Sequence, residues 1–518
     1  MQNEDWTHLG DRARRHPERI AVINGSNGIS LTYGELDRRA NRLARRLQQM
    51  GLRPGDHIAM VLENNLRCFE IGWAALRSGL LVTPVNRFLT PAEAAYIVED
   101  SESRVVISSH AMRELAEGLT GLMPNCSARL MVDGTIDGWD SYEAVVATVS
   151  DAPLDAETLG ALMLYSSGTT GRPKGIVRAQ PSTRMADFID PFRRGQLRHY
   201  DFSDDMVYLS TAPLYHAAPL AWALQLQATG GTAVFMEKFE PLAALALIER
   251  YRVTHSQWVP TMFVRLMKLT EQERHGFDLS SLRMAVHSAA PCPADVKLRM
   301  IEWWGPILHE YYGSTEGSGL TMIDSAGYLA HPGSVGREAI GKLHICNDEG
   351  DVLPPGQPGL IYFERDTLAF HYHNDPEKTE SARHPRHRNW TTVGDVGYVD
   401  EEGYLYLTDR KTFMIISGGV NIYPQAIEDA LVTHEKVGDV AVIGVPCAEM
   451  GEQVKAIIEP APGIVPSAAL GEELIAYLRG KVARYMIPRS VDFIDRMPRL
   501  PTGKLYKQAL RERYRTSP

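Results

Sequence analysis

Residues 165–175 read YSSGTTGRPKG, which gathers four serine and threonine hydroxyls, three glycines and one lysine. Glycines let the backbone approach an anion closely, hydroxyls donate from several directions, and an ammonium adds charge, so the stretch suits phosphate. It is not the G-x-x-x-x-G-K-[ST] loop, a pattern found nowhere in the chain. Further residues of chemically active type follow in short motifs. His216 lies in PLYHAAP, Thr315 and Glu316 in EYYGSTEG, Asp395 and Arg410 in TVGDVGYVDEEGYLYLTDRK, and Lys504 in PRLPTGKLYK.

A scaffold must bring these scattered groups together. At 518 residues the chain exceeds what one core supports, so two or more domains are expected. With 44% hydrophobic and 23% charged residues, the composition is that of a soluble globular protein. A net charge of −10 and a pI near 6.0 disfavour nucleic acid as the main partner. Five dispersed cysteines without a C-x-x-C pair argue against zinc and for a reducing compartment. No signal core, lipidation motif or long apolar run is present, so a cytoplasmic enzyme is expected, with a homodimer left open.

The elements alternate. Thr32 and Glu35 form a capping pattern ahead of a helix ending at Gly51. Apolar strands are expected at 58–62, 105–108, 162–165, 207–210, 233–236, 284–286 and 307–310, with helices such as 241–251 between them. This predicts large parallel α/β sheets. After Leu320 the turn-rich texture predicts a small β subdomain. From Lys411 a separate set follows: helices at 424–434 and 472–485, strands at 440–445 and 454–458.

Taken in order, the motifs above, with SGGVNIYPQAIE at 417–428, resemble those of the adenylate-forming superfamily. That superfamily takes in acyl-CoA synthetases, peptide-synthetase adenylation domains and firefly-type luciferases. The wording SGGVNIYPQ is most similar to bacterial fatty-acyl and steroid-type CoA ligases. The resemblance covers essentially the whole chain. It implies an α/β fold: a large N-terminal domain of α/β sheets with a small β subdomain over 1–410, and a small mobile α+β C-terminal domain over 411–518. It also implies ATP, Mg²⁺ and CoA as reaction partners, in two half-reactions. A carboxylate attacks the α-phosphorus of ATP to give an acyl-adenylate and pyrophosphate, and a thiol then displaces AMP.

The resemblance assigns roles. Ser166, Ser167, Gly168, Thr169, Thr170, Gly171 and Lys174 embrace the β- and γ-phosphates. Thr315 donates to the α-phosphate and Glu316 holds Mg²⁺. Tyr312 stacks on adenine, with Ala289, Ala290, Glu310, Tyr311, Gly313 and Ser314 completing the nucleotide site. Asp395 accepts both ribose hydroxyls and Arg410 reaches the ribose. His216 gates the acyl pocket or orients the carboxylate. Lys504 is the catalytic cation, facing carboxylate and α-phosphate only when the C-terminal domain closes. After that domain turns, Ser417, Gly418 and Gly419 line the CoA channel. The pivot falls at Thr412, where relatives often carry Asp or Lys, with Phe413 where an acidic residue is usual.

The expected acyl pocket comprises Ala217, Ala218, Trp222, Ala223 and His287. Its lining is mainly small and apolar with one large aromatic, without the acidic residue that amino-acid-activating relatives use, so a hydrophobic carboxylic acid is expected: fatty, alicyclic, aryl or steroid-type. No carrier domain follows Lys504, which favours free CoA. A stand-alone enzyme loading a carrier protein or amine, a luciferase-like oxidation and a nucleotide-binding relic are the other readings. His371, His373, His384 and His387 are expected in a solvated loop rather than a metal site, and the arginines from Arg38 to Arg46 on a polar helix face.

Overall fold

The structure, a computed structural model, describes residues 7–166, 173–179, 183–189, 191–410, 413–417, 420–447, 449–499 and 505–515. Local signals become elements as the chemistry dictates. The helix Tyr33–Gln49 opens on a reciprocal capping box between Thr32 and Glu35 and buries Leu36, Ala40, Leu43 and Leu47. It stops just before Gly51, whose φ of +87° ends the run. Its arginine face straps a neighbouring segment: Arg45 and Arg46 donate to the carbonyls of Ala152 and Val145, and Arg42 pairs with Asp151 at 3.2 Å.

The chain packs as two compact units. The first comprises Met1–Trp258, Glu271–Val286 and Phe370–Pro376. One of its sheets has the strand order Met284–His287, His255–Trp258, Val207–Ser210, Thr232–Phe235, Ile20–Asn24, Ser30–Thr32. Val207–Ser210 pairs in parallel with both of its neighbours. A second sheet has the order Asp140–Ser141, Ala128–Val132, Ser103–Ser109, His57–Val61, Leu81–Pro84, Ala161–Leu162, and is also parallel. Such strands are covered on both faces, which is why Val61, Val106 and Met131 are apolar and fully enclosed. A three-stranded antiparallel sheet of Leu164–Ser166, Lys174–Arg178 and Phe370–Tyr372 completes the unit.

The second unit comprises Val259–Thr270, His287–Ala369 and Glu377–Pro518. It holds the antiparallel strands Leu308–Gly313, Leu320–Asp324 and Arg337–Ile340. The β-rich texture after Leu320 folds into the sheet Lys342–Cys346, Gly359–Glu364, Asp395–Val399, Leu405–Arg410, with Trp390–Thr391 at its side. The strands Ile415–Ser417, Val420–Ile422 and Ser490–Phe493 form a sheet around the long hairpin of Val437–Cys447 and Gly451–Pro460. Helices Gln425–Val432 and Ala468–Tyr477 pack on it, burying Ile427, Val442, Ala456 and Leu474.

Two expectations need correction. The helix expected over 472–485 is Ala468–Tyr477 instead. Ser467 caps it, and the turn at Gly480, with φ of +82°, breaks the run that apolar spacing alone extended. The histidine-rich loop is only partly solvated. His371 and His387 are exposed, whereas His384 is buried, its Nε2 2.9 Å from the Gly350 carbonyl and its ring against Trp390. Among the described residues no group of His, Cys, Asp and Glu is placed to hold a metal ion, and no helix is long and apolar enough to cross a membrane.

Candidate active site

The phosphate-type loop grows from a hairpin in the first unit. Lys174 stands opposite Ser166 and Gly175 opposite Tyr165. The Tyr165 hydroxyl donates to Asp100 at 2.6 Å, tying the hairpin to the neighbouring helix. Gly175 is closely packed: a Cβ there would lie 2.5 Å from the end of the Met163 side chain and 3.0 Å from His373 Cβ, so both neighbours would have to shift. Lys174 Nζ lies 3.0 Å from Asp375 and 5.8 Å from the Tyr372 ring centre. Ser167, Gly168, Thr169, Thr170 and Gly171 lie outside the described residues.

His216 precedes the helix Ala217–Thr229, beyond the carboxyl end of the Val207–Ser210 strand. Asn64 fixes that approach: it accepts from Leu214 N at 2.7 Å and donates to the carbonyls of Ala212 and Met236 at 3.2 and 2.6 Å. The His216 ring packs on Tyr215 with centroids 4.4 Å apart, and its enclosed Nε2 has no partner. Burial pulls its pKa down to about 4, so the imidazole is neutral at physiological pH. Ala217 and Ala218 are half-buried on the first turn and Ala223 is fully buried. Trp222 joins an aromatic cluster with Tyr200, Phe202 and Tyr208, at 4.8, 5.3 and 5.9 Å.

In the second unit the strand Leu308–Gly313 carries Glu310, Tyr311 and Tyr312 with alternating direction. The Tyr312 hydroxyl donates to Asp395 Oδ2 at 2.8 Å. Asp395 in turn sits opposite Arg410 in the register of its hairpin. Gly394 before it holds φ of +84°, and Thr392 Oγ1 accepts from Gly394 N at 3.1 Å, so the T-V-G-D turn aims the carboxylate. Tyr312, Gly313 and Ser314 line a shallow cleft with Ser318, Phe363 and Thr392. The hydroxyls of Ser314 and Ser318 are buried and have no partner, which leaves two donors to offer. Thr315 is half-buried and Glu316 buried on the turn beyond.

Glu310 sits apart from that cleft, buried against Lys297 Nζ at 2.5 Å. His287, fully buried, lies 3.9 Å from the same carboxylate. Burial first, then the Lys297 charge, hold it neutral. Ala289 and Ala290 are exposed just after it, and Ala289 adopts φ of +77°, a left-handed backbone unusual for a residue with a Cβ.

Toward the C-terminus, Ser417 opens the hairpin of Ile415–Ser417 and Val420–Ile422, pairing with Val420 and Gly451. Gly418, Gly419, Thr412 and Lys504 lie outside the described residues. The flanks of Lys504 are held firmly. Tyr506 N donates to the Pro498 carbonyl at 2.8 Å, and Arg499 pairs with Asp439. Lys507, buried, pairs with buried Glu428 at 2.9 Å, and Glu428 also accepts from Val442 N at 2.6 Å.

Asn64, Asp100, Lys297 and Asp375 escaped the sequence reading. Each partners a motif residue or its approach across 13 to 201 positions, and no local pattern marks such a partner.

Comparison with known proteins gives the family. The model of the AMP-binding enzyme matches residues 9–373, and that of the AMP-binding enzyme C-terminal domain matches 426–504. A feruloyl-CoA synthase from an Amycolatopsis species is 34% identical over 97% of both chains. The long-chain-fatty-acid–CoA ligase FadD13 of Mycobacterium tuberculosis is 29% identical over 99% of both. Among solved structures, the o-succinylbenzoate CoA synthetase MenE of Bacillus subtilis, bound to its acyl-adenylate intermediate, aligns over 98% of each chain with a TM-score of 0.82 and 26% identity. With both of its regions matched and a relative above 30% identity along nearly its whole length, the chain belongs to the AMP-binding enzyme family, the adenylate-forming superfamily whose members here include acyl-CoA synthetases.

Proposed function

We propose that the protein activates a hydrophobic carboxylic acid with ATP, forming an acyl-adenylate and pyrophosphate, and then passes the acyl group to the thiol of CoA with release of AMP. The observation that carries this reading is the Tyr312–Asp395 contact at 2.8 Å, with Asp395 in register with Arg410 and two unpartnered hydroxyls beside Tyr312. A flat aromatic face next to a carboxylate suits adenine and the paired hydroxyls of a ribose.

Each residue then has a physical task. A carboxylate is a poor electrophile; as a mixed anhydride with phosphate it gains a good leaving group. Lys174 and the hydroxyls of 166–170 hold the departing pyrophosphate, and Thr315 donates to the α-phosphate. Lys504 supplies the cation that meets charge developing between carboxylate and α-phosphorus, an interaction realised mainly in the transition state. His216, held neutral by burial, orients the acid without adding charge. Glu316 is the oxygen donor suited to Mg²⁺, a hard cation, and being carried on a buried turn it is held in place for that role. Mg²⁺, when bound, neutralises phosphate charge. Ser417 and the glycines after it line the path of the thiol once the C-terminal domain has turned about Thr412. The free cysteines suit a reducing, cytoplasmic setting.

The test is pyrophosphate release from MgATP across acids from acetate to long-chain, aryl and steroid carboxylates, with and without CoA. Acid-dependent release accelerated by CoA is expected. Release that is indifferent to CoA and faster with a carrier protein or amine would point to the other acceptor.

A further inference from the structure

His287 ends the Met284–His287 strand, and the carboxyl ends of strands are where open α/β sheets take their ligands. The strained backbone at Ala289 follows two residues later, and such strain collects at binding sites. The imidazole is fully buried, and neither Nδ1 nor Nε2 has a hydrogen-bond partner. Glu310 Oε2 is 3.9 Å from its Nε2 and is already held by Lys297 at 2.5 Å. Lys297 also lies over the Tyr328 ring at 3.7 Å, so the ion pair is complete without the histidine. Phe263 meets the imidazole edge-on at 5.3 Å. Folded proteins leave few buried polar groups unsatisfied, and two on one ring call for a reason.

A neutral imidazole offers one donor and one acceptor. A hydroxyl, which both donates and accepts, uses both. A charged group would have to lose its water beside an ion pair that is already balanced. We propose that His287 is a specificity-determining residue that hydrogen-bonds a hydroxyl carried on the chain or ring of the acid, so that the substrates are hydroxylated carboxylic acids rather than plain hydrocarbon ones. This rests on the acid-activating function proposed above and on His287 lining its acyl site. A site built to bond a hydroxyl discriminates strongly against the analogue that lacks it, because the protein group is then left buried and unpaired.

The experiment uses acids in matched pairs differing by one hydroxyl: 4-hydroxycinnamate and cinnamate, 4-hydroxybenzoate and benzoate, ω-hydroxydecanoate and decanoate, and a steroid carboxylate with and without a ring hydroxyl. kcat/KM for acid-dependent pyrophosphate release is compared within each pair. In the native enzyme the best pair favours the hydroxylated acid by about tenfold or more. In His287→Leu that ratio falls to near one, and in His287→Gln, which keeps a donor and an acceptor, part of it returns. Should the leucine variant fail to fold, the native ratios and the glutamine variant still decide. Turnover with no hydroxyl preference in any pair, or a preference unchanged in His287→Leu, overturns this inference and leaves the acid-activating reading standing. Silence from every acid overturns both.

Discussion

Asp395 is fixed from two sides, by the Tyr312 hydroxyl at 2.8 Å and by the turn at Gly394. Asp395→Asn keeps the size and the acceptor but removes the charge proposed to grip two ribose hydroxyls. Hydrogen bonds to a charged group contribute roughly 1.5–3 kcal/mol, so KM for ATP should rise about tenfold or more while the thermal midpoint stays near the native one. An unchanged KM would remove Asp395 from the nucleotide site. His216 gives a pH prediction. Its folded pKa, lowered by burial from 6.5 to about 4, means that the unfolded chain binds the extra proton between those values. Its contribution to stability is therefore complete above pH 6.5 and is lost as pH falls through about 4. Burial of His287 acts in the same direction. His216→Phe should weaken the loss of stability between pH 6.5 and 4.5, read as urea midpoints at the two values; an unaltered slope would contradict the enclosed, neutral imidazole.

At the scale of elements, Asn64 ties three backbone groups around the approach to His216. Asn64→Ala strands a buried N–H and two carbonyls, and should lower unfolding free energy by about 1–3 kcal/mol in a denaturant titration. The Glu428–Lys507 pair makes a parallel case. Lys507→Met leaves Glu428 buried without its cation, a change that costs about 3–5 kcal/mol for such a pair. Hydrogen exchange should then show the 437–460 hairpin losing protection. Much of this architecture could be read in the sequence. Short continuous apolar runs located the parallel strands, and the Thr32–Glu35 box located the start of the helix Tyr33–Gln49. Tyr312 and Asp395 were both expected at the nucleotide, and the structure brings them into contact. What escaped was long-range. Nothing in the sequence near Lys174 names Asp375, and nothing near Glu310 names Lys297. The helix expected to reach residue 485 shows the other failing: apolar spacing continued past Gly480, whose backbone conformation overrode it.

For the molecule as a whole, the proposed chemistry falls to groups far apart in the chain. The phosphate-type loop follows residue 166, the proposed ribose carboxylate is at 395, and the proposed catalytic lysine is at 504. The two halves of the reaction should therefore separate by mutation. In the proposed function Lys504 serves acid activation, whereas Ser417 and its glycines serve the thiol. The central measurement compares native enzyme and Lys504→Ala in two assays: acid-dependent pyrophosphate release from MgATP, and CoA thioester formation from supplied acyl-adenylate. The account predicts that removing the cation slows the first by about a hundredfold or more, in keeping with the loss of a preorganised charge at the transition state, while the second stays within about tenfold of native. Equal slowing of both assays, or a pyrophosphate assay that ignores the substitution, would contradict it.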